Sequence, residues 1–299
     1  MDEEEILRAF RACPRLDVEQ ARQHAPDIMK SIEPLADSLC VAWPSVLLAV
    51  LVATASLAPE DRFELAPSVT VRSVVWACLL HPGSTNSSGV VGCIADSLMK
   101  LCQRDFKDRD RAARAEAEAR TGNLSTYQEP HHRDLLAGGG SLAATGIQMA
   151  KEGNRGAALV AEPELDNIVQ WFTNEVSVDA GAPAKLWDGR VWARGIAEKT
   201  RAFTIPRPWM SVLAGGHVPE LYKAMLVDKL GLRQRLAVSF PEPTWRTIAQ
   251  IRKACQDLPV PSHTPEDYVA ALLYPVLKSS LRRGGVVYTA HATDWALAA

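Results

Sequence analysis

The apolar residues of this 299-residue chain fall into short runs that polar, glycine-containing segments separate. Four runs have the length and continuity of buried strands. They cover residues 73–80, 157–161, 209–214 and 237–240. Helical spacing lies between and around them, at 44–57, 90–102, 164–176, 244–256 and 265–281. Strands that alternate with helices in this way predict a mainly parallel α/β sheet flanked by helices.

The same pattern suggests how the chain is organised. Residues 1–60 are predicted to be an N-terminal helical segment, 61–242 the α/β core and 243–299 a C-terminal helical extension. Two short strands around Pro67 and a hairpin over 191–205 are expected within the core.

The distribution of charged and polar residues predicts one further helix and one linker. The formal net charge is −2, which excludes binding of nucleic acid through bulk positive charge. Residues 104–120 carry opposite charges four positions apart, which predicts a solvent-exposed helix. The pairs are Asp105 with Arg109, Asp110 with Arg114 and Glu116 with Arg120. The polar, glycine-rich segment 121–140 is predicted to be a mobile linker.

The cysteines and the apolar runs indicate the cellular compartment of the protein. The six cysteines are scattered and form no CxxC pair, so buried free thiols are expected rather than a zinc site. The acidic start, MDEEE, is unlike a signal peptide, and the apolar run 46–57 is too short for a bilayer span. We therefore expect a soluble, intracellular protein, cytoplasmic or nuclear, with no membrane partner.

Three of the four predicted strands end in polar loops, at 81–89, 162–164 and 215–217. In an open parallel sheet these loops lie at the carboxyl ends of the strands, where such folds bind ligands. The first loop, PGSTNSS, stands between a strand and a helix, which is the topology of a phosphate-binding loop. It does not match the usual GxxxxGK[ST] pattern, and taken alone it is better explained as a serine-rich turn that caps a helix.

The other two loops also allow two interpretations. LVAEPEL ends a strand in acidic residues, as do loops that order magnesium and water, but such residues also cap the helix that follows. LAGGHVPEL places His217 where a polar side chain would sense a terminal phosphate, although a lone histidine is more often structural.

Together these segments resemble, over about residues 44–241, a family of primase- and helicase-associated P-loop NTPase-like proteins of bacteria, phages and mobile elements, catalogued as a domain of unknown function. The ordered series of segments carries the resemblance. The matching segments are PSVLLAVLVATASL, VVWACLLHPGSTNSS, LVAEPEL, LWDG with Arg194, PRPWMSVLAGGHVPEL and GLRQR. The resemblance implies a RecA- or AAA-type α/β core and a role in DNA replication or mobility.

The resemblance also assigns roles to positions of this chain. The nucleotide-binding positions are Gly83, Ser84, Thr85, Asn86, Ser87 and Ser88. Ser87 and Glu162 would hold Mg²⁺, and Glu164 would be the general base. His217 would be the sensor, and Arg235 the sensing or trans-acting arginine.

Three positions depart from the family pattern. Asn86 stands in place of the lysine, Thr85 in place of the second glycine and Pro163 in place of the first carboxylate. Glu162 could replace that carboxylate, although it lies one residue early and strand alternation would point it away. Loss of a lysine–phosphate bond costs about 1.5–3 kcal/mol, or roughly 10- to 100-fold in affinity. We therefore expect weak or lost ATP hydrolysis.

Segment 190–207 carries a local positive excess with two aromatic residues, Trp192 and Phe203, between the cations. The predicted DNA-binding residues are Arg190, Arg194, Lys199 and Arg201. Such a hairpin would stack on single-stranded DNA while its cations follow the backbone. The alternative is a hairpin whose aromatic side chains pack on the core.

The sequence thus predicts a degenerate P-loop NTPase-like protein, DNA-associated, with ATP and Mg²⁺ as its cofactors. The partners expected with it are single-stranded DNA, further copies of the chain, and a primase or other replication protein. Two alternatives stay open: an active ATP-dependent helicase- or translocase-type ATPase, and a structural or interaction domain that binds no nucleotide.

Overall fold

A five-stranded parallel sheet lies at the centre of the structure, a computed structural model. The structure describes residue 8 and residues 17–58, 62–66, 69–80, 87–137, 141–173, 181–195, 202–227, 231–240, 264–282 and 287–289. The predicted helix 244–256 lies outside these ranges.

The strands and helices are as follows. The strands are β1 (Arg62–Ala66), β2 (Val69–Arg72), β3 (Trp76–Leu80), β4 (Leu136–Ala137), β5 (Ala157–Glu162), β6 (Trp192–Arg194), β7 (Phe203–Ile205), β8 (Trp209–Gly216), β9 (Leu236–Ser239) and β10 (Val287–Thr289). The α-helices are α1 (Val18–His24), α2 (Pro26–Leu39), α3 (Trp43–Leu57), α4 (Ser87–Thr121), α5 (Leu142–Ala150), α6 (Leu165–Thr173), α7 (Ala182–Asp188), α8 (Val218–Val227) and α9 (Pro265–Arg282). Short 3₁₀ helices cover Glu152–Asn154 and Leu232–Gln234.

The central sheet has the spatial order β4-β5-β8-β3-β9, and all its pairings are parallel. All five residues of β3 and all eight of β8 are buried, as expected for strands that helices cover on both faces. This confirms the prediction of a mainly parallel sheet flanked by helices.

Helices cover both faces because the chain crosses the sheet in two directions. From β3 it jumps to the far strand β4, and it then returns through β5 and β8 to β9. Right-handed crossovers therefore place α4 on one face and α5, α6 and α8 on the other. Helix α3 packs beside α4 on the first face, and α9 packs on the outer side of both.

One hydrophobic core joins the three predicted segments of the chain. It includes Ile32 of α2, Leu79 of β3 and Leu273 of α9, each completely buried. Helix α3 has Pro44 in its first turn, where proline is tolerated, and buries most of its residues against the sheet. Among the described residues, no single helix is long and apolar enough to cross a membrane. Only α2 and α3 together, bent by 115°, satisfy the length and composition criteria.

The two helical segments predicted at 90–102 and 104–120 form one 35-residue helix, α4. All three predicted ion pairs are present, at 2.8 Å, 2.9 Å and 2.5 Å. The helix is not exposed on every side, however. Asp105 is only 1% exposed and also lies 3.3 Å from Lys278 of α9, so this charge joins two packed helices.

The prediction of a mobile linker over 121–140 is wrong for its described part. Tyr127 donates a hydrogen bond to Asp110, and Arg133 is buried and donates to the Leu57 carbonyl at 3.4 Å. Residues 136–137 form the edge strand β4, level with Leu159 and Val160 of β5. A two-residue strand leaves no periodic signal, because only pairing with β5 defines it.

The smaller strand pairs agree with the sequence pattern. Strands β1 and β2 are antiparallel, with β10 parallel to β1, and strands β6 and β7 form the predicted hairpin. The expectation of buried free thiols is met by four of the cysteines, and the other two lie outside the described residues. The four are Cys40, Cys78, Cys93 and Cys102.

Candidate functional site

Three neighbouring strands finish at the same side of the sheet, the carboxyl end, with β5 two residues short of the other two. Leu80 of β3 is level with Gly216 of β8, and Glu162 of β5 is level with Ala214. The loops that follow these strands are the three polar loops singled out in the sequence. The expectation that they share one side of the sheet is therefore confirmed.

The first loop leads into α4. Positions Gly83, Ser84, Thr85 and Asn86 lie outside the described residues, as does the side chain of Ser87. Ser87 is the first residue of α4, and Ser88 is exposed. The N-terminal end of this long helix therefore lies at the carboxyl end, and its free N–H groups and dipole favour an anion there.

Glu162 is the last residue of β5, one residue beyond the predicted strand, and is only 4% exposed. Its Oε2 accepts a hydrogen bond from Asn167 Nδ2 of α6 at 3.1 Å. Among the described residues, no donor reaches Oε1. A buried carboxylate oxygen without a partner is costly, so this atom has unused capacity for a donor or a cation.

Glu162 lies on the face of the sheet opposite the one that α4 covers. Residues that are level in a parallel sheet share a face, so Glu162, Ala214 and Cys78 point to the same side. That side carries α6, because Glu162 bonds Asn167, whereas α4 packs on the other. The described contacts therefore do not bring the two predicted Mg²⁺ ligands together.

The other acidic candidate has a different environment. Glu164 is exposed in the short connection between β5 and α6. Glu162 and Glu164, on either side of Pro163, are thus a buried and an exposed carboxylate. Glu164 is accessible to a substrate at the carboxyl end, and none of the described residues is seen to hold it in place.

The third loop is held by a helix cap. The backbone N–H of exposed His217 donates to Glu220 Oε2 at 3.0 Å, so Glu220 reaches back to the start of α8. A Cβ added to Gly216 would lie 3.0 Å from Leu165 Cβ, which explains the glycine there. Burial raises the pKa of the Cys78 thiol, and the nearby Glu220 carboxylate raises it further.

Positive side chains are missing from the described part of the carboxyl end. Among the described residues that finish the central strands or open the helices after them, none is Lys or Arg. The described residues also contain no group of three or more His, Cys, Asp or Glu side chains that could hold a metal ion. The N-terminal end of α4 is therefore the main described feature that would attract phosphate.

Arg235 lies at the opposite side of the sheet, the amino end, where the strands begin. It directly precedes β9, whose first residue is level with Trp76, the first residue of β3. Five residues of strand separate the two ends by about 13 Å. Arg235 Nη1 donates to the Gly231 carbonyl at 3.0 Å, and Nη2 lies 4.0 Å from Asp188 Oδ1. These contacts hold it away from the carboxyl end of its own chain.

The Trp-Asp-Gly segment, residues 187–189, also lies at the amino end. Trp187 packs edge-on against Trp76, with ring centroids 5.3 Å apart. Gly189 ends α7 in the left-handed conformation, at φ 62°, and a side chain there would collide with the guanidinium of Arg72. Two segments that carry the resemblance, LWDG and GLRQR, thus meet through Asp188 and Arg235.

The basic hairpin has its aromatic residues inside. Trp192 is 2% and Phe203 8% exposed, and the two rings contact each other at 4.7 Å. They cannot stack on DNA from these positions, so the alternative interpretation, packing on the core, is correct for both. Arg190 is exposed, 3.5 Å from Asp188, and Arg194 ends β6, while Lys199 and Arg201 lie outside the described residues.

The sequence reasoning missed Asn167 and Glu220, the polar partners that complete the carboxyl end. Glu220 was detectable, because a Glu three residues after a helix cap is a known pattern. Asn167 had no such signal. Comparison of the chain with protein-family models, with curated proteins and with solved structures yields no match.

Proposed function

We propose that this chain is a degenerate P-loop NTPase-like protein of replication or mobile-element origin, which binds ATP weakly at the carboxyl end and hydrolyses it slowly or not at all. The observation that carries the proposal is the convergence of three loops. The strands β5, β8 and β3 are neighbours, they end at the same side of the sheet, and each leads into one of the loops that the resemblance assigns to nucleotide.

The strand order supports this fold type. Strand β8, which leads to the sensor candidate His217, lies between β3 and the acidic strand β5. That is the arrangement expected of a RecA- or AAA-type core, in which the sensing strand separates the phosphate-loop strand from the acidic strand. It differs from the 3-2-1-4-5-6 order of dinucleotide-binding folds.

The electrostatics support weak binding. The start of α4 offers N–H groups to a phosphate, but the described carboxyl end adds three carboxylates, Glu162, Glu164 and Glu220, and no cation. Each ATP phosphate would therefore lack the charge-assisted bond that a lysine supplies. Mg²⁺ prefers oxygen ligands, and Glu162 Oε1 is an available one.

The same proposal includes association with DNA through the basic hairpin 190–207. The exposed Arg190 and the cations of the hairpin would contact the phosphate backbone, while the buried rings of Trp192 and Phe203 hold the two strands together. Arg235 would reach a nucleotide only on a neighbouring copy. Its bonds to Gly231 and Asp188 favour a role in holding the amino end together.

Titration with a fluorescent ATP analogue, with and without Mg²⁺, followed by phosphate release, tests the nucleotide part. We expect detectable but weak binding and little turnover. Tight binding with turnover that falls in Glu164→Gln would instead establish the active ATPase. No binding at any nucleotide concentration would leave the structural or interaction domain.

The Glu162→Gln variant distinguishes a ligand from a purely structural carboxylate. If Glu162 serves Mg²⁺, the neutral amide should abolish the Mg²⁺ dependence of binding and stabilise the fold by about 1 kcal/mol, because it removes a buried charge. Thermal unfolding and the titration measure the two effects. Glu164→Gln is the matched control, since an exposed carboxylate should not affect stability. Unchanged Mg²⁺ dependence in Glu162→Gln would contradict the assignment.

A further inference from the structure

A cavity of about 330 Å³ opens at the amino end of the sheet, far from the candidate nucleotide site. It lies between the turn 151–156, which precedes β5, and residues 204–207, which connect β7 to β8. Met149 and Ile205 form a buried apolar floor. The charged lining residues are Lys151, Glu152, Arg155 and Arg207.

The turn that carries Arg155 is rigidly built. Asn154 is completely buried, accepts from the Asp134 N–H at 2.7 Å and donates to the carbonyls of Asp134 and Gln148 at 2.7 Å and 2.8 Å. Arg155 follows in the left-handed conformation, at φ 52°. This conformation is unfavourable for a non-glycine residue, so the surrounding contacts must hold it. The position of Arg155 is therefore fixed by the fold.

The second arginine lies beside the first. Ala157 is level with Trp209 in the β5–β8 pairing, and Arg155 and Arg207 each stand two residues before those positions. A Cβ added to Gly156 would lie 2.6 Å from the Arg207 carbonyl oxygen, so the two chain segments touch at this point. Both arginines are exposed and line the same cavity. We name it the Arg155–Arg207 cleft.

The cleft has an uncompensated positive charge. Lys151 lies 3.4 Å from Asp134, which balances its charge, whereas Glu152 lies 3.1 Å from His131, which is charged only when protonated. Glu152 therefore offsets one of the two arginine charges, and the lining keeps a net positive charge. Neither Arg155 nor Arg207 forms an ion pair with any residue in the part of the chain that the structure describes. Guanidinium matches phosphate in geometry, so two arginines that line one cavity favour an anion of this kind.

We propose that the Arg155–Arg207 cleft binds a backbone phosphate of single-stranded DNA, with the sugar against the apolar floor. Arg207 belongs to the basic segment 190–207, so the cleft continues the charged surface of the hairpin at its base. The inference rests on the proposed DNA association and is independent of nucleotide binding at the carboxyl end. It assigns the strand contact to two arginines of this cleft in addition to the hairpin.

The test compares the full chain with Arg155→Gln/Arg207→Gln by fluorescence anisotropy of labelled oligothymidylate, over a range of salt concentrations. The control is Lys30→Gln/Lys223→Gln, which removes the same charge from exposed positions of α2 and α8. Loss of charge-assisted phosphate bonds should weaken binding about 10- to 100-fold in the cleft variant. It should also lower the salt slope by about 0.7 for each phosphate released, while the control stays near wild type. Both substituted arginines are exposed, so thermal unfolding should show little change.

Each other result overturns the proposal in a distinguishable way. Equal losses in the cleft variant and the control would mean that only total charge matters. No DNA binding by wild-type chain would refute the DNA association as well, whereas the ATP titration on the same samples reports separately on the carboxyl end. Binding of thymidine monophosphate that is lost in the cleft variant, without change in oligothymidylate binding, would identify a free nucleotide as the ligand.

Discussion

The two ends of the central sheet differ in how tightly they are built. At the amino end, Trp76 donates its indole N–H to the Met210 carbonyl at 2.7 Å, and Arg72 lies over the ring of Trp209 at 4.4 Å. At the carboxyl end the described residues are mainly small or acidic, and Glu162 keeps one oxygen without a described partner. The amino end is a network of aromatic and arginine side chains, whereas the carboxyl end has unused polar capacity.

The family resemblance and the described arginines point to different ends of the sheet. The sequence resemblance directs attention to the carboxyl end, where parallel sheets bind ligands. Arg155, Arg207 and Arg235, by contrast, lie at the amino end. We propose that the two ends serve two separate functions, nucleotide binding at the carboxyl end and phosphate binding at the amino end, and we expect that each can be removed without the other.

The largest expected effect is on the free energy of unfolding, and it is found by replacing one asparagine at each end of the sheet. Asn154→Ala removes three hydrogen bonds and leaves buried polar groups without partners, so it should destabilise the fold by about 2–4 kcal/mol. Asn167→Ala removes the one described bond to the buried Glu162 carboxylate and should cost about 1–2 kcal/mol, less than Asn154→Ala because one bond is lost instead of three. Denaturant unfolding of the two variants measures both values. Equal losses would show that the carboxyl end is as tightly built as the amino end.

The next effect concerns nucleotide affinity. The double change Asn86→Lys, Thr85→Gly restores the lysine and the glycine of the phosphate loop and should raise ATP affinity about 10- to 100-fold. Isothermal titration with Mg²⁺-ATP checks it. Gln103→Ala, at an exposed position further along the same helix, should leave the affinity nearly unchanged. An unaltered affinity in the double variant would mean that the loop does not hold phosphate.

The smallest effect concerns salt dependence. Arg194→Gln combined with Arg201→Gln should reduce the slope of log affinity for single-stranded DNA against log salt by about 1.4, if each arginine contacts one phosphate. Thermal unfolding should remain close to wild type. The slope is measured by anisotropy at several salt concentrations. A slope that stays constant would mean that Arg194 and Arg201 contact no phosphate. Any DNA contact would then have to lie elsewhere, for example in the Arg155–Arg207 cleft.

Much of the fold was readable from the chain because continuous apolar runs and ion-pair spacing are local signals. The runs that became β3, β5, β8 and β9 were all placed within a few residues. Strand β4 was missed, because two residues have no period of their own. The basic hairpin was placed correctly, but the burial of Trp192 and Phe203 depends on packing that no local pattern records.

The candidate site divides in the same way. The sequence alone determined that three polar loops follow buried strands, because strand ends and loops are local features. Only the tertiary structure decided that Glu162 is buried on the α6 side, that Arg235 lies at the opposite end from the loops, and that Arg155 adjoins Arg207. These facts follow from strand order and register, which long-range backbone pairing fixes between residues about 50 positions apart, as for Ala157 and Trp209.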